Sequence, residues 1–341
     1  MTDPNLAPRL DQFRDTFRRL TTEVQRAIVG YDDLIADCLT AIFSQGHVLL
    51  EGVPGLGKTY LVKVLARVLG LAPGRVQCTP DLMPSDILGT HIVGEDATGR
   101  RVFRFERGPV FANVLLVDEI NRATPKTQSA LLEVMQERAV TIGGERHVVP
   151  LPFFVLATQN PMEMEGTYPL PEAQLDRFFF KVRVPFPKLE ALVEISKRTS
   201  GFTEPVIDEI LSGSGLMEMQ ELLTHVPVAD PITSYAAQLV LATHPEIEPR
   251  SDAKSPAGKA TRFVSYGASP RGLQALVRAA RVFCVLDNRT AVSVEDIRRA
   301  APPALRHRVI LNFEGEAEAV DMDRLIADLI KELPAPGAIA A

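Results

Sequence analysis

Eight consecutive residues constrain this chain more than any others: Gly52-Val53-Pro54-Gly55-Leu56-Gly57-Lys58-Thr59. They fit the pattern GxxxxGK[ST]. The apolar run His47-Val48-Leu49-Leu50-Glu51 precedes them, and from Thr59 to Leu69 apolar residues recur at helical spacing, so the segment reads as strand, loop, helix. Glycines in such a loop let backbone N–H groups curl around phosphates, and the helix N-terminus adds the positive end of its dipole. Lys58 is then placed to reach the β- and γ-phosphates, and the Thr59 hydroxyl to ligate Mg²⁺. Tyr60, next in the helix, completes the stretch expected to touch the nucleotide. The pattern therefore implies ATP with Mg²⁺.

Around this loop the periodicity describes an α/β layer. Residues 1–45 read as two amphipathic helices, the second over Asp32–Ser44. Short apolar runs at Arg75–Cys78, Val114–Val117, Phe153–Ala157 and Phe178–Val184 alternate with helical stretches, which predicts a mostly parallel sheet covered on both faces. Two segments interrupt the alternation as hairpins, His91–Phe105 centred on Asp96–Gly99, and Val140–Val149 around Gly143-Gly144. From Pro185-Phe186-Pro187 onward the pattern is helical throughout, with segments at 188–198, 216–224, 231–243, 270–287, 293–312 and 318–332. Residues 245–268 are a polar loop or weak hairpin, and the tail Pro334–Ala341 is expected to fray. The expected division is 1–185 for the nucleotide-binding core with its N-terminal helices, and 186–341 for a smaller helical domain.

Two strand ends carry further chemistry. Val114-Leu115-Leu116-Val117 delivers Asp118 and Glu119 to the carboxyl edge of the sheet, where ligands of open α/β sheets bind. Asp118 is placed to hold the Mg²⁺ shell and Glu119 to polarise an attacking water. The run Phe153–Ala157 ends in Thr158-Gln159-Asn160-Pro161, from which Asn160 could orient that water from the other side. The same four residues also make a good turn.

Composition narrows the alternatives. Hydrophobic residues make up 46% and charged residues 23%, values of a soluble globular chain, and no apolar run approaches the roughly 18 residues of a membrane span. The first twenty residues are charged where a signal peptide would be apolar, so a cytoplasmic location is expected. A formal charge of −6 and the absence of Trp argue against a general nucleic-acid-binding surface. Cys38, Cys78 and Cys284 are widely spaced and read as small core residues.

The phosphate loop, acidic strand end, amide strand end and Leu175-Asp176-Arg177-Phe178 occur in the order of an AAA+ ATPase core. The segments GHVLLEGVPGLGKT, DEINRATPKTQSALLEVMQE and ATQNPMEMEGTYPLPEAQLDRF resemble signature stretches of MoxR-type AAA+ proteins, and the similarity spans about residues 20–310. The resemblance implies a P-loop AAA+ core with a central parallel sheet, followed by an all-helical lid. It implies that Arg177 matches the arginine finger, Arg271 in Ser269-Pro270-Arg271-Gly272 the sensor 2 arginine, and Val29-Gly30 the segment against adenine. The hairpins match the helix-2-insert and pre-sensor-1 branch, in which the lid is displaced and Arg271 could serve a neighbour's nucleotide. A ring homo-oligomer, expected to be a hexamer, is also implied. So are a protein client to be remodelled or matured and a separate von Willebrand factor A (VWA) domain partner. The alternatives are a nucleic-acid-linked motor, supported by Arg100, Arg101, Arg104 and Arg107, or a magnesium-chelatase-type ATPase subunit.

Overall fold

The computed structural model describes residues 6–53, 55–95, 101–161, 166–200, 205–245 and 262–336. Helices α1 (Leu6–Ala27) and α2 (Asp32–Phe43) precede β1 (Val48–Glu51), and α3 (Lys58–Val68) follows the glycine loop. Next come β2 (Pro73–Gln77), α4 (Pro84–Leu88), β3 (Gly89–Glu95), β4 (Arg101–Arg107), β5 (Val114–Asp118) and α5 (Pro125–Glu137). The first part closes with β6 (Ala139–Ile142), β7 (Glu145–Val148), β8 (Phe154–Gln159), α6 (Glu172–Leu175) and β9 (Phe180–Arg183).

Five of these strands form a parallel sheet in the order β2-β5-β8-β1-β9. After β1 the chain crosses to β2, works back through β5 and β8, and then steps over β1 to β9. The carboxyl end of β1 is thus the point where connections diverge, the position at which open α/β sheets leave a ligand crevice. Successive strand residues face opposite sides of the sheet, as a period of two requires. Val48, Leu50, Val114, Leu116, Phe154 and Leu156 join one buried cluster with α1, α2 and α3, whereas Leu49, Leu115, Val117, Val155 and Ala157 join another with α5. Helix α5 starts where the sequence dictates. The Thr124 side chain accepts from the Thr127 N–H and Pro125 occupies the first turn, where its missing N–H costs nothing.

Both hairpins lie outside the main sheet. β3 pairs antiparallel with β4 from Gly89↔Arg107 to Glu95↔Arg101, and the expected turn at 96–99 lies outside the described residues. β6 pairs with β7 through Gly143 and Gly144, both at positive φ (61° and 85°), a backbone that glycine adopts without steric cost.

The second part comprises α7 (Leu189–Ser200), α8 (Gly213–Thr224), α9 (Asp230–Ala242), β10 (Val264–Tyr266), α10 (Pro270–Leu286), α11 (Val294–Leu305), β11 (Ile310–Leu311), α12 (Phe313–Ala317) and α13 (Met322–Glu332). Helices α8, α9, α10, α11 and α13 share the buried cluster that holds α1, α2 and one face of the sheet. Two expectations need correction. The helix expected over 293–312 stops at Leu305, because Arg306, His307 and Arg308 turn away to bond Asp323, Phe178 and Asp176 of other elements. Ile310–Leu311 then pairs antiparallel with Val264–Tyr266, so this part is not helical throughout. Most of the polar segment 245–268 and the end of the tail lie outside the described residues. Among the described residues no helix is long and apolar enough to cross a membrane.

Candidate nucleotide site and the opposite sheet edge

At the carboxyl edge, Gly52 leaves β1 with its N–H donated to the Gln159 carbonyl of β8, 3.2 Å away. A side chain at Gly52 would lie 2.9 Å from Val184 Cβ, so only glycine lets the loop hug the segment just after β9. Gly55 and Gly57 have φ of +83° and +74°, and a Cβ added at either would meet nothing within 4 Å, so these two positions border open space where backbone amides can meet a phosphate. Pro54 lies outside the described residues, and Val53 and Leu56 flank the glycine turn. Gly57 caps α3, whose first three residues are Lys58, Thr59 and Tyr60. Lys58 Nζ donates to the Gly52 carbonyl at 2.7 Å, folding its ammonium over the loop. Burial lowers its pKa, and the carboxylates of Asp118 and Glu119 oppose that shift.

The β5 end stands beside this loop because β8 separates β5 from β1 by a single strand. Asp118 is buried, and Arg75 on the neighbouring β2 donates to its Oδ2 from Nε at 2.9 Å. Among the described residues Oδ1 carries no such bond, and Thr59 lies in the first turn of α3. One carboxylate oxygen and one hydroxyl suit Mg²⁺, which keeps several waters and takes substrate phosphate oxygens for the rest of its shell. Glu119 holds a left-handed backbone (φ 55°), rare for a residue with a side chain, and its N–H donates to Thr158 Oγ1 at 2.9 Å. Its carboxylate accepts from Arg122 at 3.0 Å and from Gln77 at 3.3 Å. Asn160 is buried one residue past β8 on the same edge. Val29 and Gly30 line an adjoining cavity of about 690 Å³, closed by Pro185, Ala191 and Arg306. Lys58, Thr59, Asp118, Glu119 and Asn160 are thus gathered at one edge, with Val29-Gly30 beside them.

Arg177 and Arg271 are not among them. Arg177 precedes β9 by three residues, at the amino edge of the sheet, where Phe179 N–H donates to the His47 carbonyl just before β1. A separate cavity of about 200 Å³ lies there, and Arg138, Arg177, Arg271, Arg278 and Arg308 line it against the single carboxylate of Asp176. Arg177 Nε is buried without a hydrogen-bond partner among the described residues. Arg271 reaches Asp176 at 3.8 Å and Gln136 at 3.5 Å, and Ser269, the cap of α10, donates to Asp176 Oδ1 at 2.7 Å. His47 forms one wall. Its Nδ1 accepts the Val155 N–H at 3.0 Å and its Nε2 faces the Met135 carbonyl at 3.2 Å, so the ring is neutral, and burial pushes its pKa down to about 4. The sequence reading missed Arg75, Gln77, Arg122 and Thr158 at one edge and Arg138, Arg278 and Arg308 at the other. Arg75 and Gln77 carried a signal, since alternate residues near the end of β2 must face the neighbouring acidic strand end.

Comparison with known proteins identifies the family. Residues 47–180 match the model of the ATPase family associated with various cellular activities (AAA), and residues 259–329 match the AAA lid domain. Chaperone MoxR1 of Mycobacterium tuberculosis is 45% identical over 322 residues, covering 94% of this chain and 82% of that protein. Protein MoxR of Methylorubrum extorquens is 35% identical, with 96% and 97% covered. The chain belongs to the MoxR family of AAA+ ATPases. A solved structure from Cytophaga hutchinsonii, of a protein designated a candidate ATPase, superposes with a TM-score of 0.87 at 39% identity, covering 95% of this chain and 96% of that one. Fold and family therefore stand together: a chaperone-like AAA+ ATPase of MoxR type, with a five-stranded parallel sheet and a lid.

Proposed function

We propose that this MoxR-family chain binds Mg-ATP at the carboxyl edge of its sheet and hydrolyses it only within a head-to-tail ring of six copies. The observation that carries this reading is the separation of Arg177 from Lys58 and Glu119. Phosphoryl transfer needs positive charge at the γ-phosphate as the transition state forms. The finger stands at the amino edge, the P-loop at the other, and the four residues of β9 between them span roughly 13 Å. A second copy brings the two edges together. Arg271 shares the finger's cavity, so the same packing assigns it to the neighbour's nucleotide rather than its own.

In this reading Lys58 and the loop amides bind the phosphates, Thr59 and Asp118 would hold magnesium, and Val29-Gly30 lies against the base. Magnesium, when bound, neutralises charge on the phosphate oxygens. Glu119 draws a proton from the attacking water, and Asn160 orients that water. Arg122 and Gln77 hold the Glu119 carboxylate in place through hydrogen bonds of 3.0 and 3.3 Å, and the water must compete with them. The work done is remodelling or maturation of a protein client together with a separate VWA-domain polypeptide, in keeping with a relative named as a chaperone. A nucleic-acid motor gains little support from the β3–β4 hairpin. Arg101 and Arg107 share one face of β4 with Phe103 and Phe105, whereas Arg104 stands on the other, so no single basic stripe forms.

Mixing variants tests the trans arrangement. Arg177→Ala and Glu119→Gln should each bind ATP and hydrolyse little. A site combining the glutamate of the first with the finger of the second is intact, so mixed rings should regain turnover with a dependence on protein concentration. If native mass spectrometry shows mixed assemblies and turnover stays at the level of the separate variants at every ratio, the trans reading is wrong.

A further inference from the structure

The cavity beside Val29-Gly30 contains two polar groups that the nucleotide reading does not use. Tyr31, 6% exposed, is one of its lining residues, and its hydroxyl is buried with no hydrogen-bond partner among the described residues. Asp37, two turns into α2, lines it with a partly buried carboxylate that makes no hydrogen bond or ion pair among the described residues. The charges around Asp37 do not explain it as half of a salt bridge. Arg306 is engaged with Asp323 and the Lys181 carbonyl, Arg299 with Asp287, and Asp33 has the same sign. Retaining an unpaired buried hydroxyl and a desolvated carboxylate is costly unless a ligand completes them.

The two groups form a donor and acceptor pair in one cavity. A carboxylate only accepts, and a phenol can donate. The six-position edge of adenine offers the complement, an N6 amino group that donates beside a ring nitrogen that accepts. Guanine and hypoxanthine carry a carbonyl oxygen at position six, which a carboxylate repels. We infer that Asp37 reads the N6 amino group of the nucleotide's base while the Tyr31 hydroxyl donates to a neighbouring ring nitrogen, making this pair the determinant of ATP over other purine triphosphates. The inference rests on the assignment of this cavity to the base. Burial raises the Asp37 pKa to about 6, so at pH 7.5 the group is ionised and able to accept.

Equilibrium binding of ATP, purine riboside triphosphate (hydrogen at position six) and ITP to the full chain and its variants provides the test. The parent should bind ATP at least tenfold more tightly than purine riboside triphosphate, the discrimination given by a hydrogen bond to a charged acceptor. In Asp37→Ala the two affinities should converge. In Asp37→Asn, whose amide can turn to donate, ITP should gain relative to ATP. Tyr31→Phe should weaken ATP and purine riboside triphosphate alike. Each comparison is a ratio within one variant, so a general loss of stability cancels. Lys58→Ala separates this inference from the reading beneath it. If that variant loses all three nucleotides while Asp37→Ala keeps the parent's preference for ATP, the phosphate site stands and the base-reading role falls. If Lys58→Ala binds all three as the parent does, the nucleotide site itself is misplaced, and the inference falls with it.

Discussion

Arg308 is the most consequential residue that the sequence reading passed over, and removing it should show what ties the Arg177 segment to the lid. Its side chain is 3% exposed. Nε donates to Asp176 Oδ1 at 2.9 Å, Nη2 to the carbonyls of Phe178 at 2.7 Å and Asp176 at 3.1 Å, and Nη1 to those of Phe179 at 3.1 Å and Ala304. One guanidinium therefore satisfies most of the backbone acceptors around Arg177. Burial pulls its pKa down to about 10, still charged at neutral pH, and Asp176 supports the charge. Arg308→Met keeps the apolar stem and removes the fork. Asp176 retains Ser269, and Phe178 retains His307 at 2.9 Å, but the Phe179 and Asp176 carbonyls lose their Arg308 bonds. Breaking a buried charge pair by removing one partner costs about 3–5 kcal/mol. The exposed pair Arg18–Asp15, at 3.1 Å with both side chains at least 70% exposed, is the control. Its removal should cost at most about 1 kcal/mol. Urea unfolding of both variants, with Arg308→Lys as a partial rescue that restores charge without the fork, measures the difference. A loss below about 1 kcal/mol for Arg308→Met would refute the view that this residue anchors the loop around Arg177.

Two further perturbations test the remaining links. Lys58→Ala should weaken ATP binding by at least about tenfold, because a charge-assisted phosphate contact is worth about 1.5–3 kcal/mol, and isothermal titration calorimetry that found parental affinity would contradict the loop assignment. The His47 wall predicts acid sensitivity. Its pKa is near 6.5 when unfolded and about 4 when folded, so its contribution is fully present above pH 6.5 and is lost as pH falls toward 4, by up to about 3 kcal/mol. His47→Asn should flatten the urea midpoint between pH 7 and pH 4.5, and an unchanged slope would place the acid-sensitive group elsewhere.

The legibility of this protein in its sequence divides along a physical line. Strands β1, β5 and β8 could be read because each is a short, largely buried apolar run, and Val114–Asp118 is buried along its whole length, whereas β2 buries only Val76. The phosphate loop could be read because three positions demand glycine for backbone reasons and one demands an ammonium. Periodicity could not show where a helix ends when its last residues have work elsewhere. Arg306, His307 and Arg308 continue the pattern of α11, yet each leaves it for a partner at least 17 residues away in sequence. The pairing of Val264–Tyr266 with Ile310–Leu311 escaped for the same reason, since a two-residue strand has no period. Arg177 and Arg271 were found only through the family resemblance. In isolation each is one arginine among many, and what marks them, a shared cavity at the edge away from the P-loop, is a property of the fold.

That shared cavity bears on how nucleotide state could reach the lid. Asp176 accepts from Ser269 at the start of α10 and from Arg308 just beyond α11, and it stands 3.8 Å from Arg271. It is also the residue before Arg177, the proposed finger. In the proposed ring, a like-charged phosphate arriving in a cavity lined by five arginines would compete with Asp176 for Arg138, Arg177 and Arg271, because Arg278 is held by the Ser44 carbonyl and Arg308 by its own set. The lid would then feel a neighbour's nucleotide through Asp176, whose remaining bonds to Ser269 and Arg308 belong to the two ends of the lid that pack on the sheet. Under the proposed trans arrangement, chemistry and movement would be coupled through one carboxylate. Asp176→Asn, which keeps the shape and removes the competing charge, should therefore leave ATP binding at each subunit's own loop intact while altering how turnover depends on assembly. If turnover in that variant kept the parent's dependence on protein concentration, the coupling would have to run through another contact.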